Sequence, residues 1–312
     1  MPEPPHLDSP IGPARTVEVA DRVFAFLQPD GSWWINNTGF VVGSDGVLAI
    51  DASSTERRTR SFLAAISSVT GEKVRILVNT HHHGDHTNGN CLFDDALIVA
   101  HTKCREQVLG QSVGGFEQIF GPVEWGNLEI SAPVLTFEER VDLHVDDVRV
   151  ELDFAGGPAH TTGDVVAWLP DAGVLFAGDL VFDGGTPFVL MGSVAGSITA
   201  LHRIRNFGAL TIVPGHGGIC GPDRIDSVEA YLRYVQTLAL DGVAAGLSPL
   251  EAAREADLGS YAELTDPERI VGNLHRAYSE IEGLPLGGPI DVLNAFADMI
   301  AFNGGRPLRC LA

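Results

Sequence analysis

Four histidines crowd into six residues of the segment NTHHHGDHTNGN (79–90), directly after the apolar run VRILVNT (74–80). Crowding that many imidazoles costs desolvation and mutual repulsion on protonation, whereas neutral imidazole is a favoured nitrogen ligand for Zn²⁺. The segment therefore predicts a metal site. In an extended stretch alternate side chains share a side, so His81 and His83 point together and His82 points away, as a packing or supporting residue. Gly84 permits a turn that brings Asp85 and His86 to a second nearby position, which implies two metals. Three later loops carry further candidate ligands beside glycines: His160 in GGPAHTTGD, Asp179 in LFAGDL and His216 in VPGHG. Ligands spread from residue 81 to residue 216 must converge, and that requirement favours one continuous domain.

The remaining pattern supplies the elements. VEVADRVFAFLQ (17–28) and GFVVGSDGVLAIDA (39–52) read as strands of a meander, and 54–69 as a helix with Phe62, Leu63, Ile66 and Val69 on one face. With 74–80 this makes a strand, helix, strand unit. A short strand at 96–100 and a helix at 102–109 precede a Gly-rich stretch through Asn127 that carries no clear period. Extended runs at 132–137, 148–155, 164–170 and 173–178 form a sheet-rich middle. A helix at 195–206, a strand at 211–214 and helices at 225–240, 249–256, 267–280 and 290–302 complete the chain. Strands in both halves with helices after each set predict two packed sheets with helices outside. Proline-rich residues 1–16 are expected to be a flexible lead-in, 17–240 the main domain, and 241–312 a helical extension packed on it. That extension could wrap the core, cover the mouth of a site or make a homo-oligomer contact.

Charge narrows the partners. Twenty Lys and Arg against 41 Asp and Glu give a net charge of −21, with only Lys73 and Lys103 as lysines and the arginines scattered. This disfavours nucleic acid and anionic membrane. The four cysteines, Cys91, Cys104, Cys220 and Cys310, form no CxxC pair, so neither a thiolate zinc knuckle nor a disulfide scaffold is expected. The N-terminal residues lack the basic and apolar segments of a signal peptide, and no run reaches about 18 apolar residues. A cytoplasmic location is the expectation.

The motifs resemble those of the metallo-β-lactamase superfamily over residues 17 to 220. The resemblance implies an αββα sandwich of two mixed sheets flanked by helices and a site for two Zn²⁺, although iron or manganese suits the same donors. It assigns His81, His83 and His160 to the first metal and Asp85, His86 and His216 to the second, with Asp179 bridging. It makes a metal-bound hydroxide the nucleophile, oriented by Asp85. Aspartate at 179, where some β-lactamases carry cysteine, is more similar to glyoxalase-type, lactonase or thioesterase members. Thr80, Thr161 and Thr162 are placed to bond ligand groups or neighbouring backbone. His101, His144, His202 and His275 lack motif context.

Trp33 and Trp34 lie in LQPDGSWWINNTG, a composition suited to a substrate-facing loop, and Phe182, Phe188 and Met191 lie in VFDGGTPFVLMGSV (181–194), a candidate pocket wall. Together with the helical tail, these features are similar to zinc-dependent cyclases and thioesterases of bacterial aromatic polyketide pathways. That narrower resemblance implies cyclisation of a poly-β-ketone thioester, which a carrier protein could present. The alternatives are hydrolysis of another ester, thioester or lactone, or a metal-binding interaction protein without catalysis. A flat aromatic or apolar small molecule is the expected substrate, because cationic contacts for a large anionic one are sparse.

Overall fold

The structure, a computed structural model, describes residues 12–312. Strands β1 (Arg15–Ala20), β2 (Val23–Leu27), β3 (Thr38–Gly43) and β4 (Gly46–Ile50) form the expected antiparallel meander. Helix α1 (Glu56–Val69) then crosses to β5 (Val74–Val78), which lies parallel to β4, as a crossover connection requires. After the single turn α2 (Gly84–Thr87), β6 (Leu97–His101) and β7 (Leu135–Phe137) extend the same sheet in parallel, separated by α3 (Thr102–Leu109) and the short α4 (Glu117–Phe120). The seven strands run in chain order, β1 to β7.

The second sheet contains β8 (Arg140–Val145), β9 (Val148–Phe154), β10 (Val165–Leu169), β11 (Val174–Phe182) and β12 (Thr211–His216), in the order β12-β11-β10-β9-β8. Its pairs are antiparallel except β11 with β12, which are parallel across the helix α5 (Val194–Arg205). Both sheets are thus mixed, and the fold is the αββα sandwich with a helical C-terminal extension.

Strand alternation assigns each side chain to a layer. Leu48 and Ile50 of β4 meet Val165, Ala167 and Leu169 of β10 between the sheets. Val47 and Ala49 face outward onto Phe62 and Ile66 of α1. Val166 and Trp168 face outward into the helical layer, built by α5, α6 (Asp223–Ala245), α7 (Pro249–Glu255), α8 (Arg269–Ile281) and α9 (Val292–Phe302).

Several expectations are corrected. Of the runs grouped as the sheet-rich middle, 132–137 supplies β7 to the first sheet and the others go to the second, and β8 is a further strand not among the expected runs, although its RVDLHV sequence alternates polar and apolar residues. Val69 ends α1 at 40% exposure and lies off the buried face that Phe62 and Ile66 form. The lead-in gives way to β1 at Arg15, while residues 1–11 lie outside the described residues. Helix α6 runs unbroken across residue 240, so the helical extension has no boundary there.

Candidate metal centre

The seven ligand candidates converge where strands of the two sheets end. β5 runs into Thr80 and the His81–His86 segment, the β9–β10 loop carries His160, and β12 ends on His216. Asp179 lies within β11, where pairing with β12 slips on both sides of Gly178. Such a bulge re-aims the following side chain. Gly215 makes the approach possible, because a Cβ there would lie 1.9 Å from Asp179 Oδ1.

Two groups result. His81, His83, His160 and Asp179 form one, and Asp85, His86 and His216 the other. In the first, His83 Nδ1 stands 3.2 Å from His81 Nε2 and 2.8 Å from His160 Nε2, and Asp179 Oδ2 is 3.3 Å from His160 Nε2. In the second, Asp85 Oδ2 is 3.2 Å from His216 Nε2 and 3.8 Å from His86 Nε2. Asp179 spans both, with Oδ1 3.2 Å from His86 Nε2 and Oδ2 3.2 Å from His216 Nε2.

The far side of each ring explains how these nitrogens are presented. His160 Nδ1 donates to the Phe188 carbonyl at 2.5 Å and His216 Nδ1 to the Gly31 carbonyl at 3.1 Å. A carbonyl only accepts, so both rings carry a proton on Nδ1 and present Nε2 to the centre. Asp51 does the same for His86, with Oδ2 2.8 Å from Nδ1. Asp51 also accepts from the Thr80 backbone N–H at 2.7 Å and the Thr80 hydroxyl at 2.8 Å, and Thr80 Oγ1 in turn lies 3.1 Å from His81 Nδ1. One buried carboxylate therefore orients a ligand in each group. Such partners fix ring orientation and raise ligand basicity. Asp51 sits at φ 61°, a strained position for a residue with a side chain.

These donors fit a pair of cations. His83 Nδ1 faces two imidazole nitrogens but has at most one proton to donate, so the three nitrogens cannot all be satisfied by one another, whereas a cation among them would satisfy all three. His86 Nε2 and Asp179 Oδ1, 3.2 Å apart, are both buried without a hydrogen-bond partner among the described residues, the arrangement of two ligands to one ion. Burial, followed by neighbouring imidazoles, holds His81 and His83 well below the usual histidine range, so they stay neutral. Burial also opposes charge on His86 and His216, but Asp179 and the other carboxylates overcome it, raising His86 well above its usual value and His216 to about 9. A divalent cation can replace the protons held between those carboxylates.

His82 lies outside both groups. Its ring is buried, its pKa is pushed down to about 3 chiefly by burial, and it packs 4.7 Å from His83 while lining the adjoining cavity. Thr161 bonds Asp164 through both its N–H and its hydroxyl, bracing the His160 loop, whereas Thr162 is half-buried. His101, His202 and His275 bond Glu138, Glu229 and Asp298 elsewhere, and His144 belongs to β8.

A cavity of about 480 Å³ opens on the two groups. Trp33, Trp34, Phe182, Phe188 and Met191 all line it, alongside Phe116, Phe120 and, from α9, Phe296. Trp33 is anchored at 8% exposure, its Nε1–H donating to Glu268 at 2.7 Å and its ring under the Arg269 guanidinium at 4.2 Å. Trp34 packs edge-on against Trp125 at 4.8 Å. Among the described residues, Arg269 is the cavity's lone Arg or Lys, and it is engaged by Asp266 and the Thr186 carbonyl. Sequence reasoning passed over Asp51, whose signal is a carboxylate directly after the apolar run GVLAI, and Arg269, which gave none.

Comparison with known proteins decides the family. The profile of the Metallo-beta-lactamase superfamily matches residues 31–216, the interval from the Trp33 loop to the last ligand. The chain belongs to this superfamily. The α subunit of 2,4-dinitroanisole O-demethylase from Nocardioides sp. (strain JS1661) is 29% identical over 56% of this chain and 48% of its own length. A hydroxyacylglutathione hydrolase from Rhodospirillum rubrum is 30% identical over 48% of this chain and 50% of its own. The chain thus spans about half the length of these relatives. A metallo-beta-lactamase from Pontibacter korlensis shares the fold at a TM-score of 0.59 and 19% identity, over 71% of this chain and 99% of the other. The two His and Asp groups are consistent with the dinuclear centre of a metal-dependent hydrolase of this superfamily.

Proposed function

We propose that the protein is a dinuclear metal-dependent hydrolase acting on a small, largely apolar or aromatic ester, thioester or lactone. The observation that carries this reading is the Asp179-bridged pair of ligand groups at the floor of an aromatic-walled cavity. His81, His83 and His160 would hold one ion and Asp85, His86 and His216 the other, Zn²⁺ being preferred by this donor set. Two such ions supply Lewis acidity and bring the pKa of bound water toward neutrality. Asp85, which reaches the cavity, would also orient the attacking water. Trp33, Phe182, Phe188 and Met191 exclude bulk water and receive the apolar part of the substrate.

The single engaged arginine argues against glutathione- or coenzyme-A-sized anionic substrates. Among the relatives, the Rhodospirillum rubrum protein's name supports hydrolysis as the reaction type, though it names a glutathione derivative, and the Nocardioides protein is named for an aromatic compound, 2,4-dinitroanisole. The second reading, cyclisation of a polyketone thioester, draws on the same aromatic walls.

Product mass separates the two, since hydrolysis adds one water and each cyclisation with dehydration removes one. The metallo-loaded protein is expected to hydrolyse aryl esters, thioesters or lactones, with D85A and H160A each lowering turnover about 100-fold or more. Turnover unaffected by chelation and by both substitutions would overturn the proposal.

A further inference from the structure

Helix α8 lies outside the matched superfamily segment, yet it grips the metal centre from behind. Arg269, Asn273 and Arg276 are spaced four and three residues apart and so share one helix face. That face is polar but no more than 2% exposed at any of the three. All three side chains bond the backbone of residues 186–190, a stretch without regular secondary structure. Arg269 Nη1 donates to the Thr186 carbonyl at 3.0 Å and Arg276 Nε to the Leu190 carbonyl at 2.9 Å. Asn273 stands between them. Its Nδ2 donates to the Pro187 carbonyl at 2.8 Å and to Tyr231 Oη at 3.1 Å, and its Oδ1 accepts from the Val189 N–H at 2.9 Å.

The residue that Asn273 brackets is Phe188, whose carbonyl accepts the proton of His160 Nδ1. No ladder fixes the orientation of that carbonyl, so the bonds on either side of it must. The turn before α8 repeats the arrangement for the other group. Asp266 accepts from the Trp33 N–H at 2.9 Å and Glu268 from the Trp33 indole, in the loop whose Gly31 carbonyl accepts from His216.

We infer that Asn273 is a positioning residue of the metal centre, holding the 187–189 backbone so that the Phe188 carbonyl keeps His160 aimed at the first ion. The inference rests on the dinuclear metal reading. It gives the C-terminal extension a part in metal binding, carried by a residue about which the ligand motifs say nothing.

The test is competition for Zn²⁺ between a chromophoric chelator and the full chain, comparing wild type with N273A and L274A. Leu274 is fully buried on the same helix and makes no bond to 186–190, so L274A reports loss of helix packing alone. In N273A one of the two ions is expected to be lost at about 10- to 100-fold lower chelator concentration, with the other within twofold of wild type. In L274A both should stay within twofold. If N273A does not fold, N273D, which keeps the side-chain shape and an acceptor for Val189, carries the test with the same expectation. Both ions held as in wild type, or weakened alike in the Asn273 and Leu274 variants, would overturn the inference while leaving the metal reading intact. A wild-type chain that takes up no Zn²⁺ would overturn both.

Discussion

Replacing Asp51 by Asn tests how the buried carboxylate behind the ligands works. Asp51 accepts three hydrogen bonds, from the Thr80 N–H, the Thr80 hydroxyl and His86 Nδ1–H. In D51N the amide oxygen can satisfy the Thr80 N–H, but the amide N–H₂ then faces His86. The imidazole can accept that proton only by moving its own proton to Nε2, which removes the lone pair aimed at the second group. Loss of such a ligand-orienting partner costs about 10- to 100-fold in metal affinity, or about 1.4 to 2.8 kcal/mol. D51A should be harsher for stability, because three buried donors lose their acceptor at once, a total of roughly 3–5 kcal/mol. Chelator competition measures the first quantity and urea unfolding of the loaded protein the second. The ion held by His86 should weaken more than the one held by His83 and His160. D51N with wild-type affinity for both ions would refute the role assigned to Asp51.

Other expected outcomes follow from single contacts. Gly215→Ala places a methyl 1.9 Å from Asp179 Oδ1, so the bridging carboxylate must move. The variant should remain folded at a cost of about 1–3 kcal/mol but bind fewer than two ions by elemental analysis, and full occupancy would contradict the bridging geometry. Asp266 is pushed up to about 7, chiefly by burial and against the pull of Arg269. The native chain therefore keeps a proton that the unfolded chain releases above its ordinary value of 3.8. The stability this confers is present at low pH and is lost as pH rises through about 7. Wild type should lose stability relative to D266N between pH 5 and 8 by a few kcal/mol, each tenfold in proton affinity being about 1.4 kcal/mol. A gap in unfolding free energy that stays constant over that range would contradict it.

The ligand set was legible in sequence because metal chemistry concentrates rare residue types at fixed spacing, and all seven positions meet in two groups. Helix α3 and the β1–β4 meander were legible because apolar periodicity and turn residues agree there. β8 was overlooked although legible, since Arg140, Asp142 and His144 alternate with Val141, Leu143 and Val145 in the period-2 pattern of a half-buried edge strand that contains no continuous apolar run. The weakly periodic 110–127 stretch hid Phe116 and Phe120, which become cavity wall only through contacts with the Trp33 and Trp34 rings. Asp51 looked like any turn aspartate. Arg269, Asn273 and Arg276 have the composition of a solvated helix face, and burial against 186–190 is a tertiary fact that helical spacing alone does not reveal. Polar residues on a core-facing stripe become informative only when their backbone partners are known.

The dinuclear centre is tested most directly by metal content together with anomalous scattering from crystals of the loaded protein. The account predicts two ions per chain, one among His81, His83, His160 and Asp179 and the other among Asp85, His86, His216 and Asp179. A single ion, or anomalous peaks away from Asp179, would contradict it.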